Sequence, residues 1–287
     1  MIRPVFYKGR DAAIKKEVNS SMDLEFSEKS VIVTGGASNI GRAIVLGFAR
    51  EGARITVGDI DAAQAEQVGD EARQLGAADF QVVETDVTDL QQVKSMAEAA
   101  EDRYGTIDVL INNVGWDQLM YFSQTTPEFW EKVIRINYIG NLNCTHTVLA
   151  TMLKHKTPGA IVSLSSDASR QGEPREAVYG GVKAGVNSFM KTLAKENGRY
   201  GIRCNTVCPG VTVPEEDEEV GSTSMWTDKT YLFTPEQLEA VPKAMPLRKL
   251  GRPRDVANAV LFLASNAASG HITGQVLSVS GGYSMVG

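Results

Sequence analysis

The fold is constrained most strongly by an alternation that begins near Lys29, in which short β-branched or aliphatic runs are followed by longer segments of helical period. This alternation is typical of βαβ units, where helices on both faces cover a parallel sheet. It predicts seven strands, at Ser30–Thr34, Arg54–Asp59, Asp79–Glu84, Val109–Asn112, Ala160–Ser165, Ile202–Val207 and Val276–Val279. No Pro/Ser-rich linker divides them. We therefore expect a single-domain α/β fold, a doubly wound parallel sheet with its ligand crevice at the carboxyl ends of the strands.

Composition and charge exclude several classes of function. The 287 residues are 43% hydrophobic and 22% charged, which is enough apolar material for a substantial core. A net charge of −6 provides no basic face for a phosphate backbone, so we predict a small-molecule substrate and no nucleic-acid partner. The apolar runs are too short to cross a bilayer, so no membrane partner is predicted.

The cysteines and the N-terminal segment bear on location. Three cysteines are too few for a disulfide framework and indicate a reducing compartment, so we predict the cytoplasm. Cys204 and Cys208 have no histidine near them in the sequence and fall in a predicted strand, which favours core positions and no metal site. Residues 1–23 lack the apolar core of a secretory signal. We interpret them as an N-terminal arm or an oligomer contact.

A glycine-rich turn, Thr34-Gly35-Gly36-Ala37-Ser38-Asn39-Ile40-Gly41, follows the first predicted strand and opens a helical segment. Glycines let the backbone approach a pyrophosphate, and the helix N-terminus supplies free N–H groups. Asp59 ends the second strand, where a carboxylate accepts hydrogen bonds from an adenosine ribose and repels a 2′-phosphate. The alternatives are a bend without a ligand and a helix cap at Asp59. Together the two features favour a Rossmann-type site for NAD rather than NADP.

Further motifs complete a pattern. Asp86-Val87, Asn112-Asn113-Val114-Gly115, Asn137 in Ile-Asn-Tyr and Pro209-Gly210 accompany Ser166, Tyr179 and Lys183. With these residues the chain resembles the NAD-dependent, single-domain short-chain dehydrogenases/reductases over roughly residues 24–282. The resemblance implies an NAD-binding short-chain dehydrogenase domain at 24–287. It also implies cofactor contacts from Gly35, Ser38, Asn39, Ile40, Gly41, Asp59, Ile60, Asp86, Val87, Asn113, Val114, Gly115, Tyr179, Lys183, Pro209, Gly210 and Thr212.

The same resemblance implies a catalytic role for Asn137, Ser166, Tyr179 and Lys183. Tyr179 is expected to act as the base that takes the hydroxyl proton of a secondary alcohol, with Lys183 at i+4 lowering the pKa of its phenol. Ser166 is expected to hold the substrate oxygen, and Lys183 the nicotinamide ribose. Asn137 is expected to hold a water that links Lys183 to solvent. A Tyr and a Lys four apart are commonplace on helices, so the assignment depends on the other motifs.

Three positions depart from the family pattern. Asn39 stands where the second glycine of the turn is usual, and asparagine tolerates a positive φ, so we expect the turn to survive with a more crowded pyrophosphate site. Val182 replaces a small polar residue. Pro214 stands where a threonine is common, and Thr212 is expected to contact the cofactor in its place.

The substrate residues are expected in the least family-like stretch, residues 211–245, which we interpret as a lid. It contains the acidic run Glu215–Glu219 and then an apolar cluster, which either closes over an apolar substrate or packs ordinarily. The predicted substrate contacts are Met225, Trp226, Tyr231 and Phe233 from this cluster, with Trp116, Asp117, Ala168 and Arg170 at the rim of the pocket.

Blocks at Asn112–Asp117, Ser166–Arg170, Glu176–Tyr179, Val207–Gly210 and Ile272–Gly282 are similar to the 2-hydroxycyclohexanecarboxyl-CoA dehydrogenase branch of the family. This similarity implies oxidation of a ring-bearing β-hydroxyacyl-CoA to the β-ketoacyl-CoA. The alternatives are a dehydrogenase of a free cyclic or aromatic secondary alcohol, and a non-catalytic subunit of the same fold in a hetero-oligomer. The family resemblance also implies a homo-oligomer, a tetramer or a dimer.

Overall fold

A seven-stranded parallel sheet forms the centre of the computed structural model, which describes residues 23–214, 220–221, 224, 227 and 235–285. The strands lie in the order β3-β2-β1-β4-β5-β6-β7. Their bounds are β1 Ser30–Thr34, β2 Arg54–Asp59, β3 Asp79–Glu84, β4 Val109–Asn112, β5 Gly159–Leu164, β6 Ile202–Pro209 and β7 Val276–Val279. All seven predicted strands are confirmed. β6 runs two residues further than predicted because Cys208 and Pro209 pair with β7, and β5 lies one residue earlier.

Helices cover both faces of the sheet. Their bounds are α1 Asn39–Arg50, α2 Ala62–Leu75, α3 Leu90–Tyr104, α4 Pro127–Ile134, α5 Gly140–His155, α6 Ala168–Gln171, α7 Ala177–Asn197, α8 Pro235–Ala244, α9 Pro253–Ala264 and α10 Asn266–Ser269. Short 3₁₀ turns lie at Phe122–Gln124 and Gly198–Tyr200, and a π-helical turn at Arg135–Ile139. The doubly wound fold predicted from the sequence is therefore confirmed.

Alternation along each strand divides the core into two layers. In β1, Val31 and Val33 belong to the apolar cluster that includes Phe48 of α1. The intervening Ile32 belongs to the opposite cluster, with Met96 of α3. Successive side chains of a strand point to opposite faces, so a continuous apolar run is what a sheet covered on both sides requires.

The order of the strands reverses between β1 and β4, which are neighbours in the sheet although β2 and β3 separate them in the chain. At such a point the loops after the two strands diverge and open a crevice at the carboxyl ends. The turn after β1 and the segment after β4 therefore form opposite walls of one site.

Part of the predicted lid and most of the predicted N-terminal arm lie outside the described residues. These include residues 1–22, the acidic run and the predicted substrate contacts Met225, Trp226, Tyr231 and Phe233. Among the helices that the structure describes, none combines the length and the apolar composition needed to span a membrane.

Candidate active site

A cavity of about 1030 Å³ lies at the carboxyl ends of the strands. Most of the residues predicted to bind cofactor or substrate line it. From the turn and the first strands these are Gly35, Ser38, Asn39, Ile40, Gly41, Asp59, Ile60, Asp86 and Val87; from the later segments they are Asn113, Val114, Gly115, Trp116, Asp117, Ser166, Ala168, Tyr179, Lys183, Pro209, Gly210 and Thr212. The structure thus brings together residues that the sequence analysis had to collect from separate motifs.

The turn after β1 is shaped by backbone conformations that few residues adopt. Gly35 has φ +67°, and Asn39 has φ +48°, the positive value that the sequence analysis expected of it. A Cβ on Gly41 would lie 1.8 Å from the carbonyl oxygen of Gly35, so no larger residue fits there. Ser38 caps α1 without a side-chain hydrogen bond, which leaves first-turn N–H groups free for an anion. The turn therefore fits a pyrophosphate.

Asp59 closes the turn from the side of β2. Its Oδ2 accepts a hydrogen bond from the N–H of Ala37 at 2.9 Å, and its Oδ1 accepts one from the N–H of Asp61 at 3.0 Å. Burial raises the pKa of Asp59, and the backbone N–H groups oppose that rise. A carboxylate oxygen has two lone pairs, so both oxygens keep capacity to accept from a ribose hydroxyl.

The opposite wall is tied to the turn through Asn113, which follows β4. Its Nδ2 donates to the carbonyl oxygen of Gly35 at 2.8 Å and to that of Thr34 at 3.2 Å. Its backbone N–H donates to the Thr34 hydroxyl at 3.1 Å. These bonds fix the spacing of the two walls.

Ser166, Tyr179 and Lys183 meet on one side of the cavity. Ser166 follows β5, its Oγ accepts a hydrogen bond from the N–H of Ala168 at 3.2 Å, and its hydroxyl is near enough to the phenol of Tyr179 on α7 to lower the pKa of that phenol. Lys183 lies one helical turn after Tyr179, with its Nζ 5.5 Å from the centroid of the Tyr179 ring. The Lys183 Nζ also donates to the carbonyl oxygen of Leu164 at 3.0 Å. The i, i+4 spacing thus puts the ammonium and the phenol on one face of α7.

Burial decides the protonation of this pair. Burial lowers the pKa of Lys183, which is 2% exposed, to about 8. Burial raises the pKa of Tyr179, and the carboxylates of Glu176 and Asp117 raise it further, while the nearby Ser166 hydroxyl opposes the rise. The net direction is opposite to the one expected from Lys183, because desolvation is the largest cause and two acidic neighbours act in the same direction. Tyr179 is therefore a protonated phenol at neutral pH.

Asn137 lies behind the wall rather than on it. It sits in the π-helical turn between α4 and α5, and such turns redirect side chains at functional sites. Its Oδ1 accepts from the N–H of Trp116 at 3.1 Å, and its Nδ2 donates to the carbonyl oxygen of Trp116 at 2.7 Å. A Cβ on Gly115 would lie 3.2 Å from the Asn137 Oδ1 and 3.3 Å from the Lys183 Nζ. Asn137 thus fixes the backbone beside Lys183, and its predicted water-holding role stays a prediction.

The predicted rim residues divide into two groups. Trp116, Asp117 and Ala168 line the cavity, whereas Arg170 is not among the described residues that line it. The guanidinium of Arg170 donates to the Ser278 hydroxyl at 2.7 Å, on β7. The structure therefore does not place Arg170 on the described cavity wall.

Several residues that line the substrate end were missed. Glu173, Glu176, Lys132, Arg135 and Tyr283 all lie on the cavity wall. Glu176 carried a signal, since it precedes Tyr179 by three residues at the start of a helix. Lys132 and Arg135 precede Asn137 on the same bent helix. For Tyr283 the sequence held no signal, because its position depends on how the chain leaves β7.

The fold and the geometry define a class first, the Rossmann-type oxidoreductases. A family model described as Enoyl-(Acyl carrier protein) reductase matches residues 35–284. The chain therefore belongs to the short-chain dehydrogenase/reductase family, whose members are oxidoreductases that use a nicotinamide cofactor.

Individual relatives agree with this assignment. The chain is 37% identical over 255 residues to the 3-oxoacyl-(acyl-carrier-protein) reductase FabG of Thermotoga maritima, covering 88% of this chain and 97% of the relative. It is 31% identical over 264 residues to the acetoacetyl-CoA reductase of Synechocystis sp., covering 91% and 99%. A solved 7α-hydroxysteroid dehydrogenase, complexed with NADH and 7-oxo glycochenodeoxycholic acid, superposes with a TM-score of 0.82 at 30% identity, covering 92% and 97%.

Proposed function

We propose that this protein is an NAD(H)-dependent dehydrogenase that interconverts a ring-bearing 3-hydroxyacyl thioester, carried on CoA, and the corresponding 3-oxoacyl thioester. The observation that carries the proposal is the meeting of Ser166, Tyr179 and Lys183 in the same cavity as the glycine turn. This arrangement holds a cofactor and a carbonyl or carbinol group side by side, which is what hydride exchange between them requires.

The residues supply proton transfer and orientation. When bound, the nicotinamide exchanges a hydride with the substrate carbon. Tyr179 exchanges the proton at its phenolic oxygen: as a protonated phenol it donates to the carbonyl oxygen during reduction, and it accepts the proton back during oxidation. Ser166 donates a hydrogen bond to the same substrate oxygen, where charge develops. Lys183 holds the cofactor ribose and supplies positive charge beside the phenol.

NAD rather than NADP is supported by the charges around Asp59. A buried carboxylate that already anchors the turn repels a 2′-phosphate. The cations among the described cavity-lining residues all come from β4 onward, at Lys132, Arg135, Arg175 and Lys183. The part of the cavity built by β1, β2 and their turns therefore offers no described lining cation to a 2′-phosphate.

The thioester is supported by relatives and by the rim of the cavity. Two relatives are a 3-oxoacyl-(acyl-carrier-protein) reductase and an acetoacetyl-CoA reductase, which act on 3-oxoacyl thioesters. Lys132 and Arg135 are exposed where the cavity opens beside α4. Their charges suit the phosphates of CoA, which stay outside while the acyl group enters.

A free cyclic secondary alcohol is the second candidate substrate. It is supported by the superposition on the 7α-hydroxysteroid dehydrogenase, whose bound molecule is named as a 7-oxo bile acid derivative. A non-catalytic subunit is the third possibility. Against it stands the meeting of Ser166, Tyr179 and Lys183 in one cavity, which a scaffold does not need.

We further propose that residues 211–245 form the lid of a single domain that spans residues 24–287. Gly221, Ser224, Val241 and Ala244, from the described part of this stretch, line the cavity. We propose a cytoplasmic homo-oligomer, a dimer or tetramer. The support is that Cys144, Cys204 and Cys208 are free and buried, and that β7 lies at an edge of the sheet with Leu277 39% exposed.

The test is NADH absorbance with matched substrates. Each cyclic 3-hydroxyacyl-CoA is compared with its free hydroxy acid and with a simple cyclic alcohol, using NAD and then NADP. Turnover confined to the thioesters with NAD is the expected result. Turnover of the free alcohols alone would favour the second candidate, and NADH binding without any turnover would favour the scaffold.

A further inference from the structure

Arg175, in the loop before α7, has a backbone conformation that favours glycine. Its φ is +76°, where the Cβ of an ordinary residue crowds the backbone. Five other described non-glycine residues have a positive φ, and of all six only Asn39 and Arg175 line the cavity. A glycine would adopt this conformation without strain. Strain that is retained on a cavity wall indicates that the side chain of Arg175 has a function there.

Two hydrogen bonds hold Arg175 against the segment after β4. Its carbonyl oxygen accepts from the N–H of Met120 at 2.9 Å, and its Nη2 donates to the carbonyl oxygen of Leu119 at 3.2 Å. One bond fixes the backbone and the other fixes the guanidinium, so the side chain is oriented before a ligand arrives. Such preorganisation reduces the entropy that is lost on binding.

The guanidinium of Arg175 keeps donors that the protein does not use. An arginine side chain has five N–H groups, and the bond to Leu119 occupies one of them. The Nε and Nη1 of Arg175 have no hydrogen-bond partner among the described residues, yet neither belongs to the buried unpaired atoms of that part of the chain. The side chain is partly buried and lines the cavity. A ligand in the cavity can therefore reach donors that are otherwise left to solvent.

The acidic neighbours of Arg175 offer acceptors rather than donors. Glu173 accepts from the Gln171 amide at 2.8 Å and from the Tyr283 hydroxyl at 3.2 Å. The charge of Glu176 interacts with that of Arg175, and both acids line the cavity. Ionised carboxylates repel another acceptor, so a substrate oxygen at this wall needs a cationic donor. The free N–H groups of Arg175 supply one.

A 3-hydroxyacyl thioester carries a second oxygen that suits this donor. Its reacting oxygen on C3 is assigned to Ser166 and Tyr179, whereas the carbonyl oxygen on C1 lies two carbons away and only accepts hydrogen bonds. Arg175 precedes Tyr179 by four residues, and both line the cavity. Lys132 and Arg135, by contrast, are exposed. The partly buried guanidinium thus suits the C1 oxygen, and the exposed cations suit the phosphates of CoA.

We propose that Arg175 is a specificity-determining residue that donates a hydrogen bond to the oxygen on C1 of the substrate, which in the proposed substrate is the thioester carbonyl. The proposal rests on the thioester function argued above and adds a rule of selection. Substrates with an oxygen on the second carbon from the reacting one are favoured over simple secondary alcohols. A free carboxylate presents the same acceptor, so the experiment includes both sources.

The experiment removes the guanidinium without straining the backbone. Arg175→Gly adopts a positive φ freely, so its melting temperature should stay within about 3 °C of wild type although the bond to Leu119 is lost. The matched control is Arg248→Gly. Arg248 also has a positive φ, +55°, and its side chain donates to the carbonyl oxygen of Lys243, but it is not among the described residues that line the cavity.

Oxidation with NAD is followed at the NADH band on four substrates: 2-hydroxycyclohexanecarboxyl-CoA, the N-acetylcysteamine thioester of the same acid, the free hydroxy acid and cyclohexanol. Arg175→Gly should lower kcat/KM by about 10- to 100-fold on both thioesters, the loss typical of a hydrogen bond to a charged group, and by less than about threefold on cyclohexanol. The N-acetylcysteamine thioester lacks the phosphates of CoA, so it separates them from the C1 oxygen. NADH affinity should match wild type in both variants.

Chemical rescue gives a readout that a structural residue would not produce. Methylguanidine replaces the missing donor in the space that the side chain vacates, so it should raise thioester oxidation by Arg175→Gly about fivefold. It should leave wild type and Arg248→Gly unchanged.

Four outcomes would overturn the inference. An equal loss on cyclohexanol would make Arg175 a structural residue, and a loss on the CoA thioester alone would assign it to the phosphates. An equal loss in Arg248→Gly, or no rescue by methylguanidine, would exclude a bond from Arg175 to the substrate. Each of these leaves the proposed function standing, because thioester oxidation by the wild type is then already observed.

The free hydroxy acid separates failure of the proposed function from failure of the inference. If the wild type oxidises this acid and no thioester, the proposed function fails, and Arg175→Gly is then compared with wild type on the acid. A loss there supports Arg175 as the donor to C1, and no loss overturns it. If the wild type oxidises only cyclohexanol, the proposed function and the inference fail together.

Discussion

The cavity has two ends that are built in different ways. The nucleotide end comprises the turn after β1 and Asp59, and the substrate end comprises Asp117, Glu176 and Tyr179. At the nucleotide end, the contacts that shape the site are made by backbone: positive φ at Gly35 and Asn39, a close approach at Gly41, and N–H groups that hold both oxygens of Asp59. At the substrate end they are side chains, and Asp117 keeps an oxygen without a described partner. Each end keeps one buried oxygen without a described partner, the Oδ1 of Asn39 and the Oδ2 of Asp117, so the two ends differ in whether backbone or side chains shape them.

This difference shows which groups determine the specificity for each ligand. A pyrophosphate is recognised by N–H groups that any sequence provides, so the end that binds it needs particular backbone shapes. A substrate is recognised by side chains whose protonation depends on their neighbours. We therefore expect mutations at the nucleotide end to act through conformation, and mutations at the substrate end to act through charge.

Tyr179→Phe should have the largest effect on turnover, because it removes a reacting group at the substrate end and leaves the nucleotide end unchanged. The change removes only the phenolic oxygen, so turnover should fall by about 100- to 10,000-fold, the range of a lost general acid or base. NADH affinity, measured by fluorescence titration, should change by less than about threefold. A variant that still turns over at the wild-type rate would show that the proton moves through another group.

Gly41→Ala tests whether the nucleotide end acts through backbone shape. The added Cβ would meet the Gly35 carbonyl oxygen at 1.8 Å, and the turn must distort to relieve this contact. The dissociation constant for NADH should rise by about 10- to 100-fold. The matched control is Gly181→Ala on α7, where a Cβ meets nothing within 4 Å. Equal NADH affinity in the two variants would contradict a pyrophosphate site that requires glycine at position 41.

Asp59→Ala tests the one charge on which cofactor selection at that end depends. Removing the carboxylate should raise the ratio of kcat/KM with NADP to that with NAD by about tenfold, because the repulsion of the 2′-phosphate disappears while the ribose hydrogen bonds are lost. Initial rates with the two cofactors measure the ratio. An unchanged ratio would mean that NAD is selected elsewhere, and the charge at Asp59 would serve only the turn.

The nucleotide end is also the part that the sequence predicted well. The alternation of apolar runs located all seven strands, and the glycine spacing located the turn, because both are local consequences of periodicity and backbone freedom. Asp59 could be assigned because its place depends only on where β2 ends. Periodicity and glycine spacing, which depend only on neighbouring residues, thus predict the parts of the site that the backbone forms.

The substrate end was predicted less well because it depends on contacts between distant segments. Arg170 was expected at the pocket, yet it bonds to Ser278, which lies 108 residues further along the chain. The charges of Asp117 and Glu176 interact only because the segment after β4 folds against the start of α7, where the N–H of Met120 donates to the carbonyl oxygen of Arg175. The direction of the Tyr179 pKa was also missed, since burial cannot be read from an i, i+4 spacing.

The sharpest comparison applies the same substitution, Asp to Asn, at both ends. Folding raises the pKa of Asp117 from 3.8 to about 6. Between these two pH values the folded state binds more protons than the unfolded state. Wild type therefore loses stability as the pH rises from about 4 to about 6. Asp117→Asn, which does not titrate, should therefore raise the free energy of unfolding by on the order of 1 kcal/mol at pH 7.5 and have little effect near pH 4.

Asp59→Asn should have the opposite sign, although burial raises the pKa of Asp59 as well, because the loss at its two backbone hydrogen bonds outweighs the relief of burying a charge. Its two oxygens accept from the N–H groups of Ala37 and Asp61, and an asparagine turns an NH₂ group toward one of them, so the free energy of unfolding should fall by about 1 kcal/mol at pH 7.5. Urea denaturation of the two variants beside wild type measures both changes. Destabilisation by both variants would mean that Asp117 is a structural residue whose free oxygen has a partner in solution, and the contrast between the two ends would then be lost.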